Sequence, residues 1–373
     1  MPQDQTQTQS EEAEEQIQDL DEAAEVIPFT YTITAYGADY PVDALVKRIE
    51  SNDIVVPFFR WEPDEDSEVV GFQREYVWPR TTADRFVESL LLGLPVPGIF
   101  LVREESGRFL VLDGHQRLHT LRCFYSGIIQ GSEYRLESVQ ERFVNKRYRD
   151  LDVEDRRRLD NSIIHATIVH QDEPTEDQSS IYVLFERLNT GGVNLQPQEI
   201  RVALYHGPLV RVLRDLNERD SWRALYGAKS RRLKDMEMIL RFFAFYFYAD
   251  SYRSPMKDFL NRYMASNRRL QRQNNEVLTN LFVETTDTIL NHLGPKAFRP
   301  QRAVNAAVID SLMTGVARRL AEGPIRDRRR FNASFDRLKA NDDYNLATET
   351  GTSQPANVQN RLRLATEAFA KVR

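Results

Sequence analysis

The residues best suited to chemistry lie in the segment FLVLDGHQRLHTLRCF, where an apolar run meets a cluster of polar side chains. The run predicts a buried strand, and Leu118 and Leu121 behind the cluster have helical spacing. A helix N-terminus carries unpaired N–H groups and a partial positive charge, so it attracts anions such as phosphate. Gly114 would let the backbone turn and a ligand approach closely, while the planar guanidinium of Arg117 would hold phosphate oxygens. We therefore expect an anion site at this strand–helix junction.

Three neighbouring side chains could bind a cation or position a water molecule at the junction. Asp113 ends the strand, so its carboxylate could cap the helix or bind a divalent cation such as Mg²⁺. Gln116 or His115 could position a water molecule. The spacing alone slightly favours a structural alternative, in which Asp113 is only the helix N-cap and Arg117 forms a surface salt bridge.

Two other segments carry polar side chains of similar type. FQREYVW places Gln73 and Arg74 in an extended segment, and FERLNTGG places Arg187 and Asn189 at the end of a helix, before paired glycines. Each has an ordinary explanation when taken alone, because strand arginines usually lie at the surface and N-T-G-G usually forms a turn.

The elements that would position these residues suggest an α+β protein. Short apolar strands and intervening helices predict an α/β domain over residues 28–205, including a helix from Arg80 to Gly93 and a helical charged insert over 131–160. The pattern beyond that domain is helical throughout, which predicts an all-helical domain over residues 206–373. The helices expected there cover 208–217, 233–250, 254–265, 275–292, 303–320, 325–340 and 356–372.

Composition and charge narrow the class of protein. Of the 373 residues, 41% are hydrophobic and 28% charged, as in a globular protein of two domains. A single cysteine, Cys123, excludes an intrachain disulfide, and the polar N-terminus lacks a secretory signal, so we expect a cytoplasmic location. Residues 1–27 are acidic and poor in apolar side chains, which predicts a disordered tail. The longest apolar run, ILRFFAFYFYA, is too short to span a membrane and predicts a buried helix.

The net charge of −6 conceals an asymmetry between an acidic first half and a basic second half. The basic half contains KSRRLK, NRRLQR and RDRRR, whose clustered charges are typical of contact with a phosphate backbone and also of solvated helix faces. The arginines that would contact DNA are Arg231, Arg232, Arg268, Arg269, Arg328 and Arg329.

Four segments in order, GFQREYVW, ESLLLGLPVPGIFL, LVLDGHQRLHTL and FERLNTGGVNLQPQEIR, resemble the N-terminal domain of GmrSD-type, modification-dependent restriction proteins. The resemblance covers roughly residues 50–205 and implies a fold of the ParB/sulfiredoxin superfamily. The family's central motif is D-G-Q-Q-R, and here it reads D-G-H-Q-R, with His115 in the third position.

The resemblance implies a site that binds and hydrolyses a nucleoside triphosphate, with Mg²⁺ as the expected cofactor. Its catalytic residues would be Asp113, His115, Gln116 and Arg117. Nucleotide contacts are expected from Gln73, Arg74, Gly114, Arg187 and Asn189. Two alternatives remain open: a switch that binds nucleotide or DNA without hydrolysis, and a nuclease that uses the D-G-H-Q-R site.

Other kinds of site find less support in the sequence. No G-x-x-x-x-G-K-[ST] segment is present, which excludes a P-loop. His115 and His119 have the i,i+4 spacing of a zinc-binding pair, but the sequence places no third ligand beside them. Members of the family often continue into a His-Asn-His nuclease domain, whereas His292 is the last histidine here. We therefore expect a separate nuclease or ATPase subunit as partner, with DNA as a further partner and no membrane contact.

Overall fold

The computed structural model describes residues 17–18, 32–56, 78–104, 106–173, 179–188, 195–230 and 232–372. The chain folds into two units, one formed by Phe29–Asn194 and the other by Met1–Pro28 together with Leu195–Arg373. The tail predicted to be disordered, residues 1–27, lies outside the described residues except for the short strand β1 (Ile17–Gln18).

The unit Phe29–Asn194 combines strands and helices. Its strands are β2 (Thr32–Pro41), β3 (Ile54–Val55), β4 (Ile99–Arg103), β5 (Phe109–Asp113), β6 (Ile128–Ile129), β7 (Ser132–Glu133) and β8 (Ile163–Glu173). Its helices are α1 (Val42–Glu50), α2 (Arg80–Leu91), α3 (His115–Ser126), α4 (Val153–Asp160) and α5 (Ser179–Leu188). This mixture confirms the predicted α+β class, and we call the unit the α/β unit.

Five strands of the α/β unit form one mixed sheet in the order β2-β8-β4-β5-β3. Strand β8 pairs antiparallel with β2 and parallel with β4. Strand β5 pairs antiparallel with β4 and parallel with β3, so it lies inside the sheet. The strand that leads into the D-G-H-Q-R segment is therefore held by hydrogen bonds on both sides.

The apolar pattern explains why β5 and α3 are fixed in place. Val111 of β5 and Leu101 of β4 are fully buried, as are Leu118 and Leu121 on the inner face of α3. Burying a leucine or valine side chain contributes about 1.5–3 kcal/mol, so this contact anchors both elements. The predicted strand, turn and helix of this segment are confirmed.

The prediction of a helical insert over residues 131–160 is largely wrong. Only α4 at its end is an α-helix, preceded by two single 3₁₀ turns, Glu141–Phe143 and Tyr148–Asp150. A buried carboxylate explains part of the difference, because Asp84 accepts hydrogen bonds from the backbone N–H groups of Glu137 and Ser138 at 2.9 and 3.0 Å. These bonds satisfy amides that a helix would otherwise have to pair.

The second unit, which we call the helical unit, contains β1, the short strand β9 (Val304–Asn305), ten α-helices and one 3₁₀ turn, Ala249–Ser251, in the described residues. The helices are α6 (Pro197–Leu204), α7 (Pro208–Asn217), α8 (Asp220–Tyr226), α9 (Lys234–Tyr248), α10 (Met256–Asn267), α11 (Asn275–Leu293), α12 (Ala306–Leu320), α13 (Arg328–Lys339), α14 (Asp342–Glu349) and α15 (Pro355–Ala370). All seven helices expected after residue 206 are present, whereas α8 and α14 had no sequence prediction.

The apolar run ILRFFAFYFYA lies in α9 except for its last residue, Ala249, and is buried along most of its length, as predicted. Its one charged residue, Arg241, forms a buried ion pair with Asp310 of α12, with an Nη2–Oδ2 distance of 2.7 Å. Asp310 also accepts from Arg361 of α15 at 3.0 Å, and all three side chains are almost completely buried. Across the described ranges, no helix is long and apolar enough to cross a membrane.

Candidate functional site

The turn between β5 and α3 depends on a glycine. Gly114 has φ +100° and ψ 10°, a left-handed conformation that side-chain-bearing residues rarely adopt. A Cβ atom at this position would lie 2.5 Å from Cγ2 of Ile99, a buried residue of β4. Conformation and space therefore both require glycine at residue 114.

Asp113 does not cap the helix that follows it. Gly114 occupies the N-cap position of α3, and no side chain accepts a hydrogen bond there. The Asp113 carboxylate instead accepts from Nη2 of Arg117 at 2.8 Å. The N-cap interpretation of Asp113 is therefore wrong, because the left-handed turn directs the carboxylate toward the first turn of α3. The predicted salt bridge of Arg117 is present.

Arg117 is more constrained than a surface arginine. Its side chain is only 15% exposed, and the same Nη2 atom also donates to the carbonyl oxygen of Gly98 at 2.8 Å. Nε of Arg117 is buried and has no hydrogen-bond partner among the described residues. One face of the guanidinium is thus fixed by the protein while a buried donor is left without an acceptor. Burying a donor unpaired is costly, so a ligand oxygen is a natural partner for it.

Gln116 presents an acceptor in the same helical turn. Its Oε1 atom is buried without a hydrogen-bond partner in the described part of the chain. Its backbone carbonyl is occupied, because it accepts from the hydroxyl of Thr120 at 2.7 Å. An amide oxygen in this state can accept a hydrogen bond from a water molecule or from a ligand N–H or O–H group.

His115 contacts a residue that the sequence did not point to. Its ring stacks on Phe185 of α5, with centroids 6.1 Å apart and planes inclined by 14°. Helix α5 also carries Arg187, which is exposed two residues further on. The stack brings α5 beside the start of α3. In the sequence, the position of Phe185 two residues before Arg187 was the one sign of this stacking contact.

Gly98 is the second residue that sequence reasoning missed. A Cβ atom on Gly98 would lie 2.7 Å from the carbonyl oxygen of His165 in β8, so the close approach of these two strands requires glycine. The carbonyl oxygen of Gly98 can then accept from Arg117. The P-G pair before a strand was a local sign of special backbone geometry, although nothing linked it to Arg117.

His119 and Cys123, one turn apart on α3, form a neutral pair. Sγ of Cys123 lies 3.3 Å from Nε2 of His119. Burial lowers the pKa of His119 to about 4, assisted by the charge of Arg122. Burial also raises the pKa of Cys123 to about 12. A protonated thiol beside a neutral imidazole is not an activated nucleophile, so the pair belongs to the core.

The arrangement suits an anion more directly than a metal cluster. Within the described ranges, no group of three or more His, Cys, Asp or Glu residues could hold a metal ion. Asp113 is partly neutralised by Arg117, although its side chain remains 46% exposed. Mg²⁺ in nucleotide sites commonly uses one or two carboxylates together with phosphate oxygens, so Asp113 alone is compatible with an ion that arrives with nucleotide.

Three predicted nucleotide contacts, Gln73, Arg74 and Asn189, lie outside the described residues. Their convergence with the D-G-H-Q-R segment on one cleft therefore stays a prediction.

The five predicted DNA-contacting arginines within the described residues fall into two groups. Arg232 pairs with Glu199 at 3.2 Å, and Nε of Arg268 donates to the carbonyl oxygen of His206 at 2.6 Å, so both hold contacts inside the helical unit. The exposed arginines are Arg269, Arg328 and Arg329. Arg231 lies outside the described residues.

Comparison with known families supports the resemblance seen in the motifs. Residues 63–206 match the model of the family described as GmrSD restriction endonuclease, N-terminal domain. The matched range contains the entire turn from β5 to α3 and all of α5. Searches of curated proteins and of solved structures found no significant match.

Proposed function

We propose, on the premise that residues 63–206 form a GmrSD N-terminal domain, that this protein is a nucleotide-hydrolysing component of a prokaryotic restriction or anti-phage system. It would act in the cytoplasm, sense or act on DNA, and work with a separate nuclease or ATPase subunit. The α/β unit would have a ParB/sulfiredoxin-like fold, which is supported by the mixed five-stranded sheet and by a site at a strand–helix turn.

One observation carries the proposal: a buried donor and a buried acceptor without partners lie in the first turn of α3. These atoms are Nε of Arg117 and Oε1 of Gln116. The first-turn N–H groups of α3 add further donors, since Gly114 offers them no side-chain cap. A bound nucleoside triphosphate would supply phosphate oxygens to the donors, and an attacking water would supply a hydrogen to the acceptor.

Each residue then has a distinct task. Arg117 stabilises the charge that develops on the transferred phosphoryl group, and Asp113 holds the guanidinium in position through Nη2. Gln116 orients the attacking water, and His115, fixed against Phe185, lies beside it. Mg²⁺ would enter with the phosphates and contact Asp113, while Gln73, Arg74, Arg187 and Asn189 would complete nucleotide binding.

A second candidate is a switch that binds nucleotide without hydrolysing it. The pairing of Asp113 with Arg117 favours it, because the carboxylate oxygen that accepts from Nη2 is already occupied in holding the guanidinium. The nuclease alternative has less support, since a nuclease needs a second carboxylate close to Asp113 and no metal-binding group of three was found in the described residues.

The test is phosphate release from ATP, GTP, CTP and UTP with Mg²⁺, with and without DNA, for wild type and Arg117→Ala. Arg85→Ala is the matched control, because it removes an exposed arginine of α2 in the same unit. We expect release from at least one nucleotide, at least a hundredfold slower in Arg117→Ala and unchanged in Arg85→Ala.

Other outcomes decide between the candidates. Nucleotide binding that depends on Arg117 without phosphate release would establish the switch. Neither binding nor release from any of the four nucleotides would refute the proposed site.

A further inference from the structure

A groove between α13 and α15 of the helical unit has the chemistry of a phosphate-backbone site. The two helices pack through Phe331 and Phe369, whose ring centroids are 4.9 Å apart. Beside this contact lies a cavity of about 310 Å³, with Leu338 and Leu364 among its apolar lining residues.

Three cations line this groove. Arg330 and Arg337 are seven residues apart on α13, which places them on one face and about 10 Å apart along the axis. Lys371, just after α15, contributes the third charge. All three side chains are exposed.

The charge of the groove is not neutralised locally. Glu367 is the acid in the lining, and both of its oxygens accept from Nη1 of Arg363, at 3.0 and 2.9 Å. Neither Arg330 nor Lys371 has an ion-pair partner among residues 195–230 and 232–372. Arg337 donates from Nη2 to the hydroxyl of Ser334 at 3.0 Å, which orients its guanidinium without neutralising it.

We propose that this groove binds the phosphate backbone of DNA. Two turns of helix separate Arg330 and Arg337, so they can contact different phosphates of one DNA strand. A ligand with a single phosphate could not contact all three cations of the groove at once. The groove has no aromatic lining residue on which a base could stack, so recognition should be independent of sequence. Exposed Arg328 and Arg329 extend the positive surface along the start of α13.

The choice of DNA as ligand rests on the proposed function, whereas the charge and shape of the groove do not. The groove and the D-G-H-Q-R site lie in different units, so they can be tested separately.

The experiment is fluorescence anisotropy of a labelled DNA duplex with the full chain, over a series of salt concentrations and without nucleotide. We expect Arg330→Ala/Lys371→Ala to bind at least tenfold more weakly than wild type and to reduce the salt slope by about two. Arg337→Ala should reduce the slope by about one. Lys47→Ala is the control, since it removes an exposed charge that Asp43 already neutralises and that lies outside the basic clusters, and its binding should match wild type.

Two further measurements complete the test. Urea unfolding checks that the exposed substitutions leave the fold unchanged, and vesicles containing phosphatidylglycerol test a lipid as the source of phosphate. Binding to vesicles but not to DNA would overturn the proposal, as would double-variant binding equal to wild type with the same salt slope. Without DNA, the double variant should release phosphate at the same rate as wild type, even if that rate is zero. The DNA-binding proposal for the groove can therefore fail independently of the proposed nucleotide site.

Discussion

The two units of this protein use arginine in opposite ways. In the helical unit, Arg241 and Arg361 are buried and share the carboxylate of Asp310, with Arg241 bound through both Nε and Nη2. In the α/β unit, Arg117 is held by Asp113 and Gly98 through Nη2, while its Nε has no acceptor in the described residues. Nε of Arg361 lacks an acceptor in the described residues as well, so the two cases differ in access. Arg241, Arg361 and Asp310 are almost completely buried and serve the fold, whereas Arg117 is 15% exposed beside a carboxylate that is 46% exposed, where a ligand can reach it.

The buried arginines of the helical unit should matter for stability, and Arg117 of the α/β unit for ligand binding. Removing the common partner in the helical unit should unfold the protein more easily, because the arginines cannot reach water. Changing Arg117 should leave stability nearly unchanged and remove ligand binding. Asp310→Ala and Arg117→Lys test this difference directly, while Gly114→Ala and His119→Gln test the turn and the helix that hold Arg117. The four substitutions follow in order of their expected effect on the free energy of unfolding.

Asp310→Ala should have the largest effect. It leaves Arg241 and Arg361 buried without their carboxylate, and breaking a buried ion pair in this way costs about 3–5 kcal/mol. Urea unfolding measures the change. Asp336→Ala is the control, since it removes an exposed partner of Lys339 and should cost under about 1 kcal/mol. Equal unfolding midpoints for the two variants would mean that the buried arginines find other acceptors.

Gly114→Ala should cost about 2–4 kcal/mol. The left-handed φ strains any Cβ-bearing residue, and the new Cβ would also collide with the stiff side chain of Ile99. Gly107→Ala measures the cost of the left-handed backbone alone, because Gly107 has φ +84° and nothing lies within 4 Å of its Cβ position. This variant should lose only about 1 kcal/mol. If both alanine variants unfold alike, the contact with Ile99 carries no energetic weight.

The sequence predicted the local part of this site and missed the part that depends on distant residues. Strand, turn and helix around Gly114 follow from short-range patterns, so they were predictable. The Asp310 pairing joins residues 69 apart in the chain, and no periodicity signals it. The carbonyl of Gly98 and the ring of Phe185 reach α3 only through the folded sheet and helix packing.

Between pH 7 and pH 5, His119 should lower the free energy of unfolding of the wild-type protein by about 1–2 kcal/mol. His119→Gln should lack this contribution. The pKa of His119 is about 4 in the folded protein, below the ordinary value of 6.5. As the pH falls below 6.5, the unfolded chain therefore binds a proton first, and stability declines until the pH reaches about 4. Urea unfolding at several pH values measures the difference in free energy of unfolding between wild type and variant. All other titratable groups are the same in the two proteins, so their contributions cancel. A constant difference from pH 7 to pH 4 would contradict the buried neutral state of His119.

Arg117→Lys should have the smallest effect on stability and the clearest effect on function. A lysine retains the charge and can still approach Asp113, so the free energy of unfolding should change by about 1 kcal/mol, the contribution of one lost hydrogen bond. Its single ammonium cannot donate to Asp113 and Gly98 while also offering the separate donor that Nε provides. Nucleotide binding, measured by calorimetry, should therefore fall at least tenfold in a protein that unfolds like wild type. A stable variant with full binding would show that charge suffices at residue 117, and a variant that unfolds as easily as Asp310→Ala would place Arg117 with the arginines that serve the fold.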